Sequence, residues 1–429
     1  MRRIILAATV LVVTSRMNAD VTFSKEVVRA LQEHCQACHR EGGIGPFSLV
    51  TFNDAFTHAR SIKSAILSGL MPDGASVRLD TGCTRPDTFE GRRRLTPDEI
   101  DTIVGWVDSG APEGDPADLP TPLTFIDSLW KGGQPDLIVP VTPGGFTVPP
   151  LLGRDVFRRF PIRTHFGKSV YLTAFEALPG SGDNVSDRLN RIVHHVTLWI
   201  DPDCNSIGQE VEFAASDPVV PGAGFEGPFP YATTPVGFWV PGSTGIRLPE
   251  GVGVKIPDGS CLITEVHYAT YHETAVLDNT LVGLKITDGA VLRERVNFVV
   301  QNKDFLVPAG EAHFVVEARK TLSDDATLFS IQPHSHQLGT DFLVYAVLPN
   351  GEKLCLIDLQ WDFAHQEIYN YRQPVRLPAG TEVISKCWYD NTENNPNQFN
   401  HPPLGILWGA ASDKEMCEVD MGLVYEKPE

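Results

Sequence analysis

The chain has 429 residues, and 35 Lys and Arg against 54 Asp and Glu give a formal net charge of −19. That length allows about three folding units, and 42% hydrophobic with 21% charged residues excludes a disordered or coiled-coil protein. A chain this acidic has little with which to release phosphate counterions, which argues against a nucleic-acid partner.

Arg2 and Arg3 precede an apolar run from Ile4 to Val13, which gives way to Thr14, Ser15 and Arg16. The run is too short for a bilayer and suits the core of a signal peptide over residues 1–19, cleaved after Ala19; a buried N-terminal strand or helix is the other reading. No later apolar stretch approaches the roughly 20 residues of a membrane span. The mature chain is therefore expected to be exported, periplasmic or extracellular, where disulfides persist.

Residues 20–116 have helical spacing. Val27, Val28 and Leu31 share a face, and the run from Ala55 to Leu70 keeps the same period. Thr96 then caps a helix that begins at Pro97, with Asp98 and Glu99 complementing its dipole, and stops at Gly110. Pro112 to Pro122 is linker in composition, and the linker is placed at 117–149. Beyond it the period changes to two. Runs such as Ser169 to Phe175, Ile192 to Ile200, Cys261 to Tyr268, His313 to Ala318, Leu343 to Val347 and Glu382 to Trp388 alternate with Gly/Pro turns. This predicts a multidomain chain, a small all-α domain followed by two all-β antiparallel sandwich (jelly-roll) domains at 150–289 and 290–429.

Of the eight cysteines, Cys35 and Cys38 form C-Q-A-C-H with His39. Cys83, Cys204, Cys261, Cys355, Cys387 and Cys417 are dispersed, and six cysteines allow 15 connectivities. C-x-x-C-H is a covalent haem c signature: two thiols add to the vinyl groups, and the next histidine reaches the proximal face of the iron. A redox dithiol would sit in a βαβ unit, and half a zinc site would want a second cysteine pair. Neither context is present. The sixth ligand should be a soft sulfur on a loop, which Met71 in S-G-L-M-P-D-G supplies; His34 and His58 are its rivals, and a core methionine is the alternative. With both axial positions filled, such a haem moves electrons. This segment resembles class I cytochromes c, especially bacterial ones with C-x-x-C-H-R-x-G-x-I-G-P-F-S-L (Cys35 to Leu49) and a W-V-D-S-G-A-P-E-G-D-P ending (Trp106 to Pro116).

Three histidine clusters mark the β region: His194 and His195 in R-I-V-H-H-V-T-L-W, His267 in E-V-H-Y, and His334 and His336 in P-H-S-H-Q-L-G. In a strand, residues two apart share a face, so His334 and His336 can grip one ion. His194 and His195 would point to opposite faces unless a bulge intervenes or different ring nitrogens are used. Each cluster alone also reads as solvated or hydrogen-bonded core histidines, whereas together they point to imidazole-rich copper or zinc.

The order H-H-V-T-L-W, V-H-Y, H-x-H-x-L-G, D-K-E-M-C resembles the copper type II, ascorbate-dependent monooxygenases, which include the peptidylglycine α-hydroxylating and dopamine β-monooxygenases, over about residues 150–429. The resemblance implies two copper ions. His194, His195 and His267 would hold the electron-transferring one; His334, His336 and Met416 would hold the one that binds O2 and faces substrate. It also implies a Cys387–Cys417 disulfide beside Met416. Trp361 to Gln366, Tyr389 to Thr392 and His401 to Gly409 look like bacterial members fused to a cytochrome.

Departures from the peptide-amidating enzymes are equally informative. They have an Arg where this chain has Gln332, and an Asn and a Tyr where it has Glu418 and Asp420. These positions help hold a peptide's carboxylate and backbone, so a glycine-extended peptide is a poor expectation. His272 is a rival to His267 as third ligand; Glu265 could be its outer partner or simply solvated; His165, His313, His365 and His401 read as structural. The implied activity is C–H hydroxylation of an unknown small or peptide-like substrate by O2, with electrons passing from an external donor through the tethered haem c to the coppers. A non-hydroxylating electron-transfer or copper-binding protein with the same ligands is the alternative.

Overall fold

The structure, a computed structural model, describes residues 21–41, 45, 47–68, 71–72, 77–78, 83, 88–90, 95–123, 130, 132–141, 144–150, 156–180, 192–208, 211–214, 232–239, 245–268, 275–289, 291, 293–363, 366–409 and 413–426. The segment read as a signal peptide lies outside them. Among the described residues no helix is long and apolar enough to cross a membrane. Two units result, one from residues 1–72 and 93–125, the other from 73–92 and 126–429.

The first unit is helical. A π-turn, Phe23–Val27, leads into α1, Val28–His34; α2, Phe52–Thr57, and α3, Ala59–Leu67, follow, then α4, Pro97–Asp108. The single helical run expected from Ala55 onward is broken at His58, whose backbone (φ −103°, ψ 8°) leaves the helical region. Thr96 caps α4 as its sequence predicts: its hydroxyl accepts from Glu99 N while the Glu99 carboxylate accepts from Thr96 N, satisfying two amides that no helical turn reaches. Phe23, Leu31, Leu49, Ile62, Ile103 and Trp106 form the core, and the Trp106 indole donates to Pro112 O (3.0 Å).

The second unit is built from antiparallel sheets. Nine strands carry the argument: β1 Val156–Arg163, β2 Val193–Asp201, β3 Val211–Ala214, β4 Thr234–Trp239, β5 Cys261–Tyr268, β6 Val296–Asn302, β7 Ala326–His334, β8 Tyr369–Leu377 and β9 Cys417–Tyr425. One sheet runs β3-β1-β5-β2-β4 and packs on a sheet that includes Leu137–Pro140, Leu281–Thr287, Val170–Leu178 and Val252–Ile256. Another runs β6-β9-β7-β8 and packs on Phe314–Thr321, Glu382–Tyr389, Gly339–Val347 and Lys353–Gln360. Each pair encloses its own apolar core, the sandwich pattern that the period-two runs predict. Two strands, Leu137–Pro140 and Phe146–Val148, fall in the stretch read as linker; the first pairs with Leu281–Thr287.

Every residue of β5 is buried, on both faces. Leu262, Val266 and Tyr268 enter the first sandwich's core, so Glu265 and His267 are covered from outside it. The cover is the second sandwich. Phe329, which sits where the β7 register shifts between Leu328 and Ser330, and Val424 of β9 belong to the first sandwich's core. Arg295 donates to Val236 O, and Phe238 packs on Val299.

Residues 73–92 join this unit, although the sequence reading groups them with the helices. Val77 bridges Leu359, Phe89 bridges Tyr371, and Arg78 pairs with Asp341 and Asp358 (3.3 Å to the latter). Cys83 is disulfide-bonded to Cys355. The other disulfides are Cys204–Cys261 and Cys387–Cys417, the latter as the family resemblance implies.

Candidate metal centres

The two outer β faces that meet inside the second unit carry the histidines. On β2 and β5, His195 and His267 are cross-strand partners, but Tyr268 pairs with Val193. Two residues, His194 and His195, thus oppose one, which is a β-bulge. Its effect on alternation is visible in the core, where Val193 and Val196 both point inward although they are three apart. The backbone irregularity that two adjacent histidine ligands would require is therefore present, while the His194 side chain lies outside the described residues. His267 is buried and stacks on Phe157 (4.1 Å between ring centres, 12° between planes).

His195 Nδ1 and His267 Nδ1 are 3.3 Å apart. Two nitrogens each about 2.0 Å from one ion subtend about that distance at a tetrahedral angle. The spacing fits a metal. Glu265, on the same face, is taken by Arg159, whose Nε donates to Glu265 Oε2 (2.6 Å); this buried pair leaves Glu265 as a neighbour rather than a partner of His267. The rival His272 lies outside the described residues.

On the facing sheet, Gln332 and His334 share one side of β7, whereas His336, expected on the same strand face as His334, follows just past the strand's end. The two imidazole centres are 5.2 Å apart at 85°. His334 Nδ1 lies 2.9 Å from Gln366 Oε1, and His336 Nδ1 lies 3.0 Å from Lys414 O. Gln366 Nε2 donates to Phe363 O (3.1 Å), which fixes the amide with its oxygen toward His334. Both partners are carbonyl oxygens and can only accept. Each ring, when neutral, therefore carries its proton on Nδ1 and its lone pair on Nε2, the form a metal binds. Dense surrounding protein pushes the His334 pKa down to about 4, with the charge of His267 acting in the same direction, so the ring is neutral at pH 7.

Met416 is 3% exposed and immediately precedes β9, where Glu418 is the cross-strand partner of His334. Glu415 ties that turn to the H-x-H segment. Its fully buried carboxylate accepts from Ser335 Oγ (2.9 Å), His336 N (3.0 Å), Leu338 N (2.6 Å) and Met416 N (3.3 Å). Burial lifts its carboxyl to about 7 in spite of those bonds. Tyr389 donates to Met416 O (2.7 Å), Trp361 Nε1 to His336 O (3.0 Å), and Cys387–Cys417 closes the next link. The sequence reading misses Glu415, Gln366, Trp361 and Tyr389 as site-builders. Their signal is only that each lies in or beside a quoted motif.

In the helical unit, Cys35 and Cys38 are half-buried and stand outside the three disulfides. His39 Nδ1 lies 3.1 Å from Phe47 O, which again leaves Nε2 as the lone-pair nitrogen. Gly45 is required beside it, since a Cβ there would lie 2.7 Å from His39 Nδ1. These features fit a covalent haem c with His39 as proximal ligand. Met71 is partly exposed, with its amide bonded to Ala65 O. Of its rivals, His34 is engaged by Glu99 (3.2 Å) and His58 stacks on Phe47 at 3.8 Å.

No curated protein matches the chain. Among solved structures it is similar to PNGF-II (11% identity over 66% of this chain and 59% of that one, TM-score 0.21). It is also similar to infectious bursal disease virus Gx strain (6%, 66% and 75%, 0.18) and to a beta-porphyranase of glycoside hydrolase family 86 from Bacteroides plebeius (7%, 63% and 37%, 0.16). The chain spans less than two thirds of the first of these, and TM-scores so low carry no argument. Residues 299–422, which include His334, His336, Glu415 and Met416, match the family model of the copper type II ascorbate-dependent monooxygenase, C-terminal domain.

Proposed function

We propose that the chain is an exported haem–copper monooxygenase that hydroxylates a C–H bond of a small molecule. The balance is R–H + O2 + 2 e− + 2 H+ giving R–OH + H2O, so a one-electron donor must act twice per turnover. In this reading Cys35, Cys38, His39 and Met71 hold haem c, and an external donor reduces it. His194, His195 and His267 hold the copper that receives those electrons, and His334, His336 and Met416 hold the copper that meets O2. Copper, when bound, supplies one-electron redox chemistry and O2 reduction, with thioether favouring Cu(I) and imidazole serving both states.

The observation that carries the reading is the paired commitment of His334 and His336. Both Nδ1 atoms are held by carbonyl oxygens, which in the neutral ring puts the lone pair on Nε2, the nitrogen a metal would bind. Gln366 and the Lys414 carbonyl orient the rings, Glu415 locks the Met416 turn to the same segment, and Trp361 braces His336 from behind. Export is supported by the three disulfides, which persist outside the cytoplasm.

The test is metal and haem content of the exported protein, followed by stopped-flow oxidation of its dithionite-reduced form by O2. The expected result is two coppers per haem, with Met416→Ala abolishing O2-dependent turnover and leaving the haem spectrum intact. One copper or none, or haem oxidation indifferent to Met416→Ala, would overturn the reading. The chain would then be an electron-transfer or copper-binding protein that retains the ligands without hydroxylating.

A further inference from the structure

Asp201 is the last residue of β2, on the outer face that carries His195 and about 20 Å along the strand from it. Its side chain is 0% exposed. Oδ2 accepts from Ser206 N (2.7 Å), whereas Oδ1 has no hydrogen-bond partner, and neither does Ser206 Oγ, whose residue is 2% exposed. Among the described residues Asp201 makes no ion pair. Arg163, on the other side of its cross-strand partner Cys261, donates to Gly259 O instead (3.1 Å). Nor does the local sequence supply a cation: from Ile192 to Ile246 there is no Lys or Arg, against Asp201, Asp203, Glu210, Glu212, Asp217 and Glu226.

The turn after β2 holds these oxygens in place. Cys204, at φ +54°, donates its amide to Asp201 O (3.2 Å) and is disulfide-bonded to Cys261. Ser206 Oγ is three bonds from the nitrogen that binds Oδ2, so both open oxygens belong to one turn. Asp203 and Asn205 stand exposed on it. A carboxylate taken out of water requires compensating charge, and the side chains at hand are oxygen donors without imidazole or free thiol. That donor set selects a hard cation over copper or zinc.

Asp201, Asp203 and Asn205 also repeat the D-x-D-x-N spacing that opens a calcium loop. Glu212 stands at the twelfth position, where such a loop has its closing carboxylate. Here it pairs with Arg158 on β3, three strands from β2 in the sheet, and is too distant to close the ring. A turn lacking that ligand and of irregular shape suits Ca2+, which tolerates uneven coordination completed by water, better than Mg2+, which demands an octahedron.

The geometry points to a calcium site at the end of β2: Asp201 Oδ1 and Ser206 Oγ bind the ion from the buried side, and Asp203, Asn205 and water complete it from the exposed side. It is separate from the histidine centres and independent of the monooxygenase reading. With few protein ligands, its dissociation constant belongs in the range of about 10⁻⁴–10⁻³ M typical of extracellular modules.

Equilibrium dialysis with CaCl2 and thermal unfolding of the full chain, prepared in calcium-free buffer, test this. One Ca2+ per chain should bind, and 5 mM CaCl2 should raise the unfolding midpoint by about 2–4 °C, with MgCl2 doing less. Asp201→Asn and Ser206→Ala should each weaken binding about tenfold and remove the rise, while Asp324→Asn, an exposed acid elsewhere, should leave both intact. If Asp201→Asn fails to fold, Ser206→Ala, which removes one oxygen, decides. No Ca2+ bound by the parent would overturn the site and make the open oxygens the seat of a structural water. Equal response to MgCl2, indifference to Ser206→Ala, or an equal loss in Asp324→Asn would overturn it too, leaving only diffuse attraction to an acidic surface.

Discussion

Replacing Gln366 with leucine removes the oxygen to which His334 Nδ1 donates at 2.9 Å. Two responses are open to the ring. If it keeps its proton on Nδ1, a donor is left unmet in crowded surroundings, at about 1–3 kcal/mol of folding stability. If the proton moves to Nε2, folding is spared but an entering metal must displace it. Losing an outer partner of a metal-bound histidine typically lowers affinity about 10–100-fold, equivalent to roughly 1.4–2.7 kcal/mol. The two penalties draw on the same hydrogen bond, so together they should come to about 1–3 kcal/mol. A copper(I) titration against a competing chelator, with urea unfolding of the metal-free protein, measures both. Lys414→Ala is the control, because His336 Nδ1 rests on the main-chain oxygen of that residue and should be unaffected. Gln366→Leu that binds copper and unfolds like the parent would refute the claim that Nε2 of His334 is presented by this bond.

Glu415→Ala strips the acceptor from Ser335, His336, Leu338 and Met416 at once and should cost at least about 3 kcal/mol in urea unfolding; a loss under about 1 kcal/mol would mean water replaces the carboxylate without penalty. Gly422→Ala would place a Cβ 2.3 Å from Ser330 Oγ and 2.8 Å from the Phe329 ring, so about 1–3 kcal/mol of destabilisation is expected by the same assay. Burial raises the Asp278 pKa above 3.8, so the native state binds this proton more tightly than the unfolded chain does, and its contribution to stability falls as pH rises through the native titration. Asp278→Asn, whose amide Tyr268 can meet by turning its hydroxyl, should flatten that slope on the alkaline side of the ordinary carboxylate range in a series of urea melts; an unchanged slope would place the titration elsewhere.

Period-two alternation made the sandwiches legible, because a strand's geometry repeats residue by residue; it also pointed to the His334–His336 pair, although β7 ends at His334 and the turn beyond it brings the second ring in. Thr96 was equally legible as a cap, since its partner Glu99 is three residues away. The His194–His195 pair could be read only as a condition, namely that the strand bulges or the two rings use different nitrogens. Satisfying it depends on how β2 meets β5, 72 residues on from His195 to His267. Glu415 and Gln366 escaped for the same reason. Their contacts close loops of 79 and 32 residues, and nothing local distinguishes a buried carboxylate from a solvated one. Arg295 and Asp420, 125 residues apart, are a harder case still. Family departures flagged Asp420 as different, but only packing shows it set against Arg295.

The chain passes between its two units three times, after residues 72, 92 and 125. The middle excursion is clipped to the β sheets by Cys83–Cys355 and by Phe89, which lies against Tyr369 and Tyr371. A protease that cuts once in the exposed stretch before residue 123 would therefore release nothing. Nor can the β sheets be expressed as a clean C-terminal block: a fragment starting at 126 would strand Cys355 as a lone thiol and uncover Leu359 and Tyr371.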